Sequence, residues 1–307
     1  MIDINLSFLD SFCALSDPRS GRNQLYPISE ILLTSLCAAI CGAEGWQDIE
    51  DFGLSKLDFL RTILPYENGI PSDDTFRRFF RSLDPEVFGQ CFTDWFETIR
   101  PDITSSDSVL AIDGKSLRHS FDDDKKMLHM VSAFCSESRL VLGQKKVSDK
   151  SNEITAIPDL LKILDIEGRT VTIDAMGCQH DIADQIQYKG GDYILALKGN
   201  QGSLKDDVEL YLTDSDFFNN ITPEIQHDKG HGRLEKRVCY VTQDIDWIHD
   251  LHPKWRSIGS LIRIDSTRNI KGEISQETRY YIASNKKITA KTALRQVRNH
   301  WGTGQQL

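Results

Sequence analysis

Several protein classes are excluded by what this chain has little of. No Cys-x-x-Cys pair occurs, and the cysteines Cys13, Cys37, Cys41, Cys91, Cys135, Cys178 and Cys239 are odd in number and widely spread. That excludes a disulfide framework or zinc ribbon and fits a reducing, cytoplasmic compartment. The longest apolar run, Ile31 to Cys41, falls well short of the roughly 20 residues a membrane-spanning helix needs, and the N-terminus lacks the basic flank of a signal peptide. Neither a membrane segment nor export is expected. No Walker loop and no dinucleotide fingerprint appear, leaving nucleotide hydrolysis and hydride transfer without footing. Internal repeats, heptad arrays and low-complexity tracts are absent too. Positive charge is in deficit: Lys and Arg number 36 against 46 Asp and Glu, a net charge of -10. Phosphate binding relies on Lys and Arg, so this weighs against a nucleic-acid partner, but a site holding divalent metal requires carboxylates and inverts its own local field.

What is present is globular: 307 residues, 39% hydrophobic and 27% charged, enough for one large domain or two ordinary ones. Residues 1–104 read as a helical module. Pro27-Ile28-Ser29-Glu30 opens a helix whose Ile31, Leu32, Leu33, Leu36 and Ile40 recur at helical spacing, with Gly42 closing it. The turn signal Gly69 to Thr75 precedes Phe76, Phe79, Phe80 and Leu83 on one face, with Arg77, Arg78 and Arg81 on others. Those arginines read either as a solvated face or as a DNA contact.

Pro101 to Ser106 is polar and marks the boundary with a second domain, residues 105–307. Strands are expected at Val109 to Ile112, Met127 to Cys135, Arg139 to Val147, Thr170 to Ile173 and Tyr193 to Leu197. A helix within Glu153 to Leu164 should become regular near Pro158, and another covers Asp181 to Tyr188. The resulting order is β-β-β-α-β-α-β. Beyond it come a helix (Leu204 to Leu212), a polar segment, strands near Arg237 to Val241, Ser257 to Ile264 and Thr278 to Ala283, and a last helix from Thr289 to Trp301.

Asp113 and Asp174 each follow an apolar strand. A carboxylate there either begins a turn or is paired with something positive, and two from neighbouring strands form the minimal cradle for Mg²⁺, which takes hard oxygen ligands. Lys115, Arg118 and Lys198 flank these strand ends, as a phosphate-bearing substrate requires. Lys229 to Arg237, including Arg233, Glu235, Lys236 and Arg237, is a polar cluster with two glycines, read as a charged hairpin or as a segment closing on substrate. His227 and His231 would share a helix face, but Gly230 and Gly232 argue against a helix and so against zinc. Cys178-Gln179-His180 offers no nucleophile partner.

Taken with Asp17-Pro18-Arg19, Tyr26 to Glu30, Gly42 to Trp46, Gly69 to Phe76, Ile112 to Lys115, Lys150 to Ile154, Ile173 to Gln179, Leu197 to Gln201 and His231 to Glu235, these residues resemble insertion-sequence transposases with an Asp-Asp-Glu triad. The subgroup is that of the bacterial H-repeat-associated proteins, and the likeness covers nearly the whole chain. The resemblance implies a ribonuclease-H-like α/β domain behind an all-α N-terminal module. It further implies Mg²⁺-dependent (Mn²⁺ as substitute) cleavage and strand transfer of DNA, with Asp113 and Asp174 as catalytic and metal-binding acids. Lys115, Arg118, Lys198, Arg233, Lys236 and Arg237 are the expected DNA-binding residues. The expected partners are terminal-repeat and target DNA, with a second copy of the chain as a candidate and no membrane. The third acid of the family falls in a His-Trp-x-Ile-Glu-Asn motif; here His300-Trp301-Gly302-Thr303-Gly304-Gln305 puts Gly304 at the acid's place. The expectation is therefore a copy shortened at its C-terminal end, with cleavage weakened or lost. Glu235 or Glu153 could stand in for the missing acid if either reaches the site, and two alternatives stay open: a non-catalytic remnant that binds DNA or an intact partner, and a metal-dependent nuclease that cuts without joining, with Glu235 as third ligand.

Overall fold

A computed structural model describes residues 4–19, 24–99, 108–121, 127–137, 140–147, 153–214, 217–218, 221–230 and 233–303. The chain separates into two compact units, Met1–Pro101 and Asp102–Leu307.

The first unit is helical: α1 (Ile4–Ser11), α2 (Ile28–Ile40), α3 (Trp46–Ser55), α4 (Leu57–Leu60), α5 (Asp73–Ser82) and α6 (Pro85–Ile99). Its main core joins Phe8, Phe12, Ile31, Phe76, Phe79 and Trp95. The α5 aromatics thus face inward, while Arg78 and Arg81 are exposed and Arg77 pairs with Asp74. A smaller cluster holds Leu33, Leu60 and Tyr66. Tyr66 has a φ of 47° and is fully buried; its N–H donates to Glu30 Oε1 at 2.7 Å, which helps hold this left-handed backbone.

Glu30 is only 2% exposed, and its Oε2 has no partner. Burial pushes its carboxyl above the ordinary 4.5. An acid raised in the folded state contributes stability fully below its ordinary value and loses it as pH rises through the shifted one. Glu30→Gln should therefore raise the neutral-pH melting temperature by a few degrees and flatten the decline above about pH 4.5, read by thermal melts across pH. A neutral-pH melt unchanged or lowered would contradict this.

The second unit is built on one sheet: β1 (Val109–Phe121), β2 (Met127–Cys135), β3 (Leu140–Val147), β4 (Thr170–Ile173), β5 (Asp192–Leu197), β6 (Glu224–Gly230), β7 (Arg233–Thr242), β8 (Ser260–Ile270) and β9 (Glu273–Ala283). Its order is β3-β2-β1-β4-β5-β9-β8-β7-β6. Strands β1, β4 and β5 run parallel, and the other neighbouring pairs are antiparallel. Around the sheet lie the helices α7 (Glu153–Ile163), α8 (His180–Tyr188), α9 (Gly202–Tyr211), α10 (Asp246–Leu251) and α11 (Ala290–Thr303).

The central strands are apolar because both faces are covered. Residues Leu110, Ile112, Val171, Ile173, Tyr193, Leu195 and Leu197 pack with Ile157, Leu160, Ile182, Leu204 and Ile248 from α7, α8, α9 and α10. The opposite face places Ile194, Ala196, Ile262, Ile264 and Tyr281 against Ala293, Leu294 and Val297 of α11.

Four expectations are corrected. Strand β1 does not stop at Ile112: it runs on to Phe121 because β2 keeps pairing with it, Asp113 opposite Ser132 and Lys115 opposite Met130. Helix α7 is regular from Glu153, five residues ahead of Pro158. Burial of Ala156, Ile157, Leu160 and Leu161 offsets the backbone hydrogen bond that proline removes. The polar segment after α9 contains β6, an edge strand paired on one side only. Finally, β8 and β9 extend as a long hairpin from Ser260 to Ala283, turning at Lys271 and Gly272, both with positive φ.

Candidate active site

The parallel register of β1 and β4 pairs Ile112 with Ile173, so the next residues, Asp113 and Asp174, are level with each other on adjacent strands. Counting by twos, Asp113 shares a face with Val109 and Ala111, and Asp174 continues the line of Thr170 and Thr172. This is the face that α11 covers. Adjacent strands lie about 4.8 Å apart, so both carboxylates start from neighbouring points on one surface. Both are half-buried, and among the described residues neither is ion-paired.

Strand β4 ends where Asp174 begins a short 3₁₀ turn, Ala175–Gly177, and its Oδ1 accepts the Met176 N–H at 3.0 Å. This turn closes tightly on the strand: a Cβ at Gly177 would stand 2.2 Å from Ile173 Cγ2. The loop after β5 is fastened to it. Asn200 Nδ2 donates to the Ala175 carbonyl, and Gln201 Nε2 to that of Cys178 at 2.6 Å. The motif residues Asn200 and Gln201 thus hold the Asp174 turn in place.

Beneath the pair lies His300, from α11. It is 8% exposed, with Nδ1 3.1 Å from Thr172 Oγ1. Burial pushes its imidazole below the usual range, against the opposing pull of the Asp113 and Asp174 charges. One turn earlier, Gln296 Nε2 donates to Thr170 Oγ1 at 3.0 Å. The two contacts pin α11 along β4. The crevice among Thr172, Asp174, Ile194, Ala196, Tyr281, Val297 and His300 holds only about 10 Å³ of free space, roughly one water.

The remaining expected residues scatter around this pair. Lys198 is exposed directly after β5, one strand from Asp174. Lys115 and Arg118 lie on β1, and their side chains fall outside the described residues, as do Gly304 and the side chain of Glu153. Lys236 is exposed on β7, opposite His227 of β6. His231 is outside the described residues. Cys178 is fully buried and its thiol is pushed up to about 12, chiefly by burial, as befits an inert side chain.

Among the acids, Glu235 stands apart from the pair. It sits on β7, four strands beyond β4, and its carboxylate is occupied: Arg237 at 2.7 Å, Arg268 at 3.2 Å and Arg233 at 3.8 Å. It is not brought to Asp113 and Asp174, and among the described residues no third Asp, Glu, His or Cys joins them in a metal-binding group. The two aspartates supply hard oxygen donors of the kind a divalent cation takes, leaving its other positions to water and phosphate oxygens. His300 was not singled out on sequence as a site residue; its only signal was its place in the late His-Trp motif.

No helix among the described residues is long and apolar enough to cross a membrane. Residues 104–302 match the family model described as "Transposase DDE domain", and residues 9–96 match "DDE_Tnp_1-associated". The "H repeat-associated putative transposase YhhI" of Escherichia coli K12 is 44% identical over 307 positions, covering 95% of this chain and 79% of that protein. An "Uncharacterized protein in dhlA 3'region" of Xanthobacter autotrophicus is 43% identical over 89% of this chain and 92% of its own length. The "Inactive transposase YbfQ" of E. coli K12 is 52% identical over 20% of this chain and 74% of itself. With the sheet order, the paired aspartates and these matches together, the chain belongs to the DDE transposase family, with the family's ribonuclease-H-like domain and H-repeat-associated proteins among its relatives.

Proposed function

We propose that Asp113 and Asp174 jointly hold a divalent cation, Mg²⁺ or its substitute Mn²⁺, at a site for phosphodiester cleavage and strand transfer of insertion-sequence DNA in the cytoplasm. The observation that carries this reading is the β1–β4 register, which sets the two carboxylates level on one sheet face. A bound cation would supply Lewis-acid stabilisation of charge on the phosphodiester oxygens. The chain's own part is positioning. Asn200 and Gln201 hold the Asp174 turn, and the His300–Thr172 contact fixes α11 below it. Lys198 stands exposed one strand away, suited to a backbone phosphate; Lys115, Arg118, Arg233, Lys236 and Arg237 are the further DNA-contact candidates. A second copy of the chain is a candidate partner at the DNA ends.

With Gly304 where the family resemblance places Glu, a cation held by Asp113 and Asp174 would have one protein ligand fewer and cleavage would be slow. A second reading, a DNA-binding chain without cleavage, is favoured by the absence of a third acid beside the aspartates among the described residues. Nicking of supercoiled plasmid by the full chain in Mn²⁺ separates the two. Slow nicking is expected, with Gly304→Glu raising the rate at least about tenfold and Asp174→Asn removing it. No nicking by either the parent or Gly304→Glu would favour the non-catalytic reading, and undiminished nicking by Asp174→Asn would overturn the site.

A further inference from the structure

Further along the α11-covered face lies a second cavity, of about 300 Å³, with no role in holding the aspartates. Five arginines line it: Arg233 and Arg237 from β7, Arg268 from β8, Arg279 from β9 and Arg298 from α11. The lining acids are Glu235 and Glu277. Including Asp228, which pairs with both Arg237 and Arg298, the local tally is five positive charges against three negative, a surplus of two. Ser266 and Tyr281 add hydroxyls to the lining.

The acids are arranged to aim the arginines rather than to neutralise them. Glu235 is nearly fully buried and receives Arg237 at 2.7 Å, Arg268 at 3.2 Å and Arg233 at 3.8 Å, three guanidiniums from two strands around one carboxylate. Glu277 grips Arg279 through two bonds of 2.7 and 2.9 Å, and the guanidinium beside it holds its carboxyl below the usual range. Arg268 and Arg298 are each held by one acid, Glu235 and Asp228, whereas Arg237 is held between both; a planar guanidinium fixed on one edge can turn its other edge to an oxyanion, so little side-chain freedom remains to be lost when one binds. Tyr281 and Val297 line both this cavity and the crevice beside Asp174, so an anion held here is one sheet-face step from the aspartates.

We infer that this arginine-lined cavity is a phosphate-binding subsite, with Glu235 as a positioning residue that orients Arg233, Arg237 and Arg268. It rests on the proposed DNA chemistry only for the source of the phosphate, which is either a terminal phosphomonoester or an internal phosphodiester of the strand engaged by Asp113 and Asp174. Glu235 thereby has a role that excludes it as a metal ligand.

The test begins without DNA. Calorimetry of inorganic phosphate with the full chain should show saturable binding that Arg268→Gln and Arg298→Gln each weaken about tenfold or more. Asp113→Asn should leave it unchanged. Glu235→Gln should weaken phosphate binding while leaving Mn²⁺ binding intact, a split that a metal ligand would reverse. Should Glu235→Gln fail to fold, Arg268→Gln, at a side chain 46% exposed, carries the test alone. With duplex DNA, each arginine variant should lower the slope of log affinity against log salt by about one. Loss confined to 5′-phosphorylated ends identifies a terminal phosphate, and equal loss on unphosphorylated DNA identifies an internal one. Absence of phosphate binding by the parent, or binding untouched by Arg268→Gln and Arg298→Gln, overturns the subsite. Failure of DNA nicking alone would count against the metal site and leave this one standing.

Discussion

Gly177→Ala should lower the melting temperature of the second unit by roughly 2–12 °C, because a single methyl there has nowhere to go. Its carbon would stand 2.2 Å from Ile173 Cγ2 and 3.0 Å from Ile157 Cδ1, so either β4 or α7 must give way. Overpacking of this kind costs about 1–3 kcal/mol, and each kcal/mol moves the midpoint of a domain this size by about 2–4 °C. The displaced atoms belong to the residue just before Asp174, so the same substitution should also weaken Mn²⁺ binding. A midpoint within 1 °C or so of the parent in thermal melts would show that the turn after β4 is looser than described.

Asp113→Asn and Asp174→Asn should act in opposite directions with and without metal. In metal-free buffer, two carboxylates level on adjacent strands repel, and removing one charge should stabilise the fold by a few tenths to about 1 kcal/mol. In Mn²⁺ at about a hundred times its dissociation constant, the parent should gain about 2.7 kcal/mol from binding, and either variant should gain nothing. Thermal melts with and without Mn²⁺ read both effects. Nicking by the Gly304→Glu chain should meanwhile fall about 10³-fold or more when either Asp is replaced, the scale of losing several kcal/mol of charge stabilisation.

The residues themselves made much of the second unit readable. Thr170 to Ile173 and Tyr193 to Leu197 are buried on both faces because helices cover both, and such central strands read as near-continuous runs of apolar and β-branched residues. Strand β6 was hidden for the opposite reason: as an edge strand it alternates half-buried with exposed residues and carries Glu224, Gln226, His227, Asp228 and Lys229, a composition that also suits a loop. Helix α10, Asp246–Leu251, is too short for helical periodicity to emerge.

The same contrast holds at the site. That Asp113 and Asp174 each follow apolar strands was legible; that they stand level depends on register between strands about sixty positions apart, which no local pattern encodes. Glu235 looked like a spare acid because its sequence neighbours are basic. Its occupation by Arg268 depends on β8 lying beside β7, a long-range pairing. His300 reaches Thr172 across a separation of 128 residues, and nothing near either residue announces the other.

The central claim is that one cation is shared by two carboxylates, and a double-substitution cycle on Mn²⁺ affinity tests it most directly. Titration calorimetry on the parent, Asp113→Asn, Asp174→Asn and the double variant should give one binding event in the parent. Each single substitution should lose nearly as much affinity as the double, since half a cradle holds little. Additive losses from the two substitutions, or full Mn²⁺ binding after either one, would mean that Asp113 and Asp174 do not share an ion.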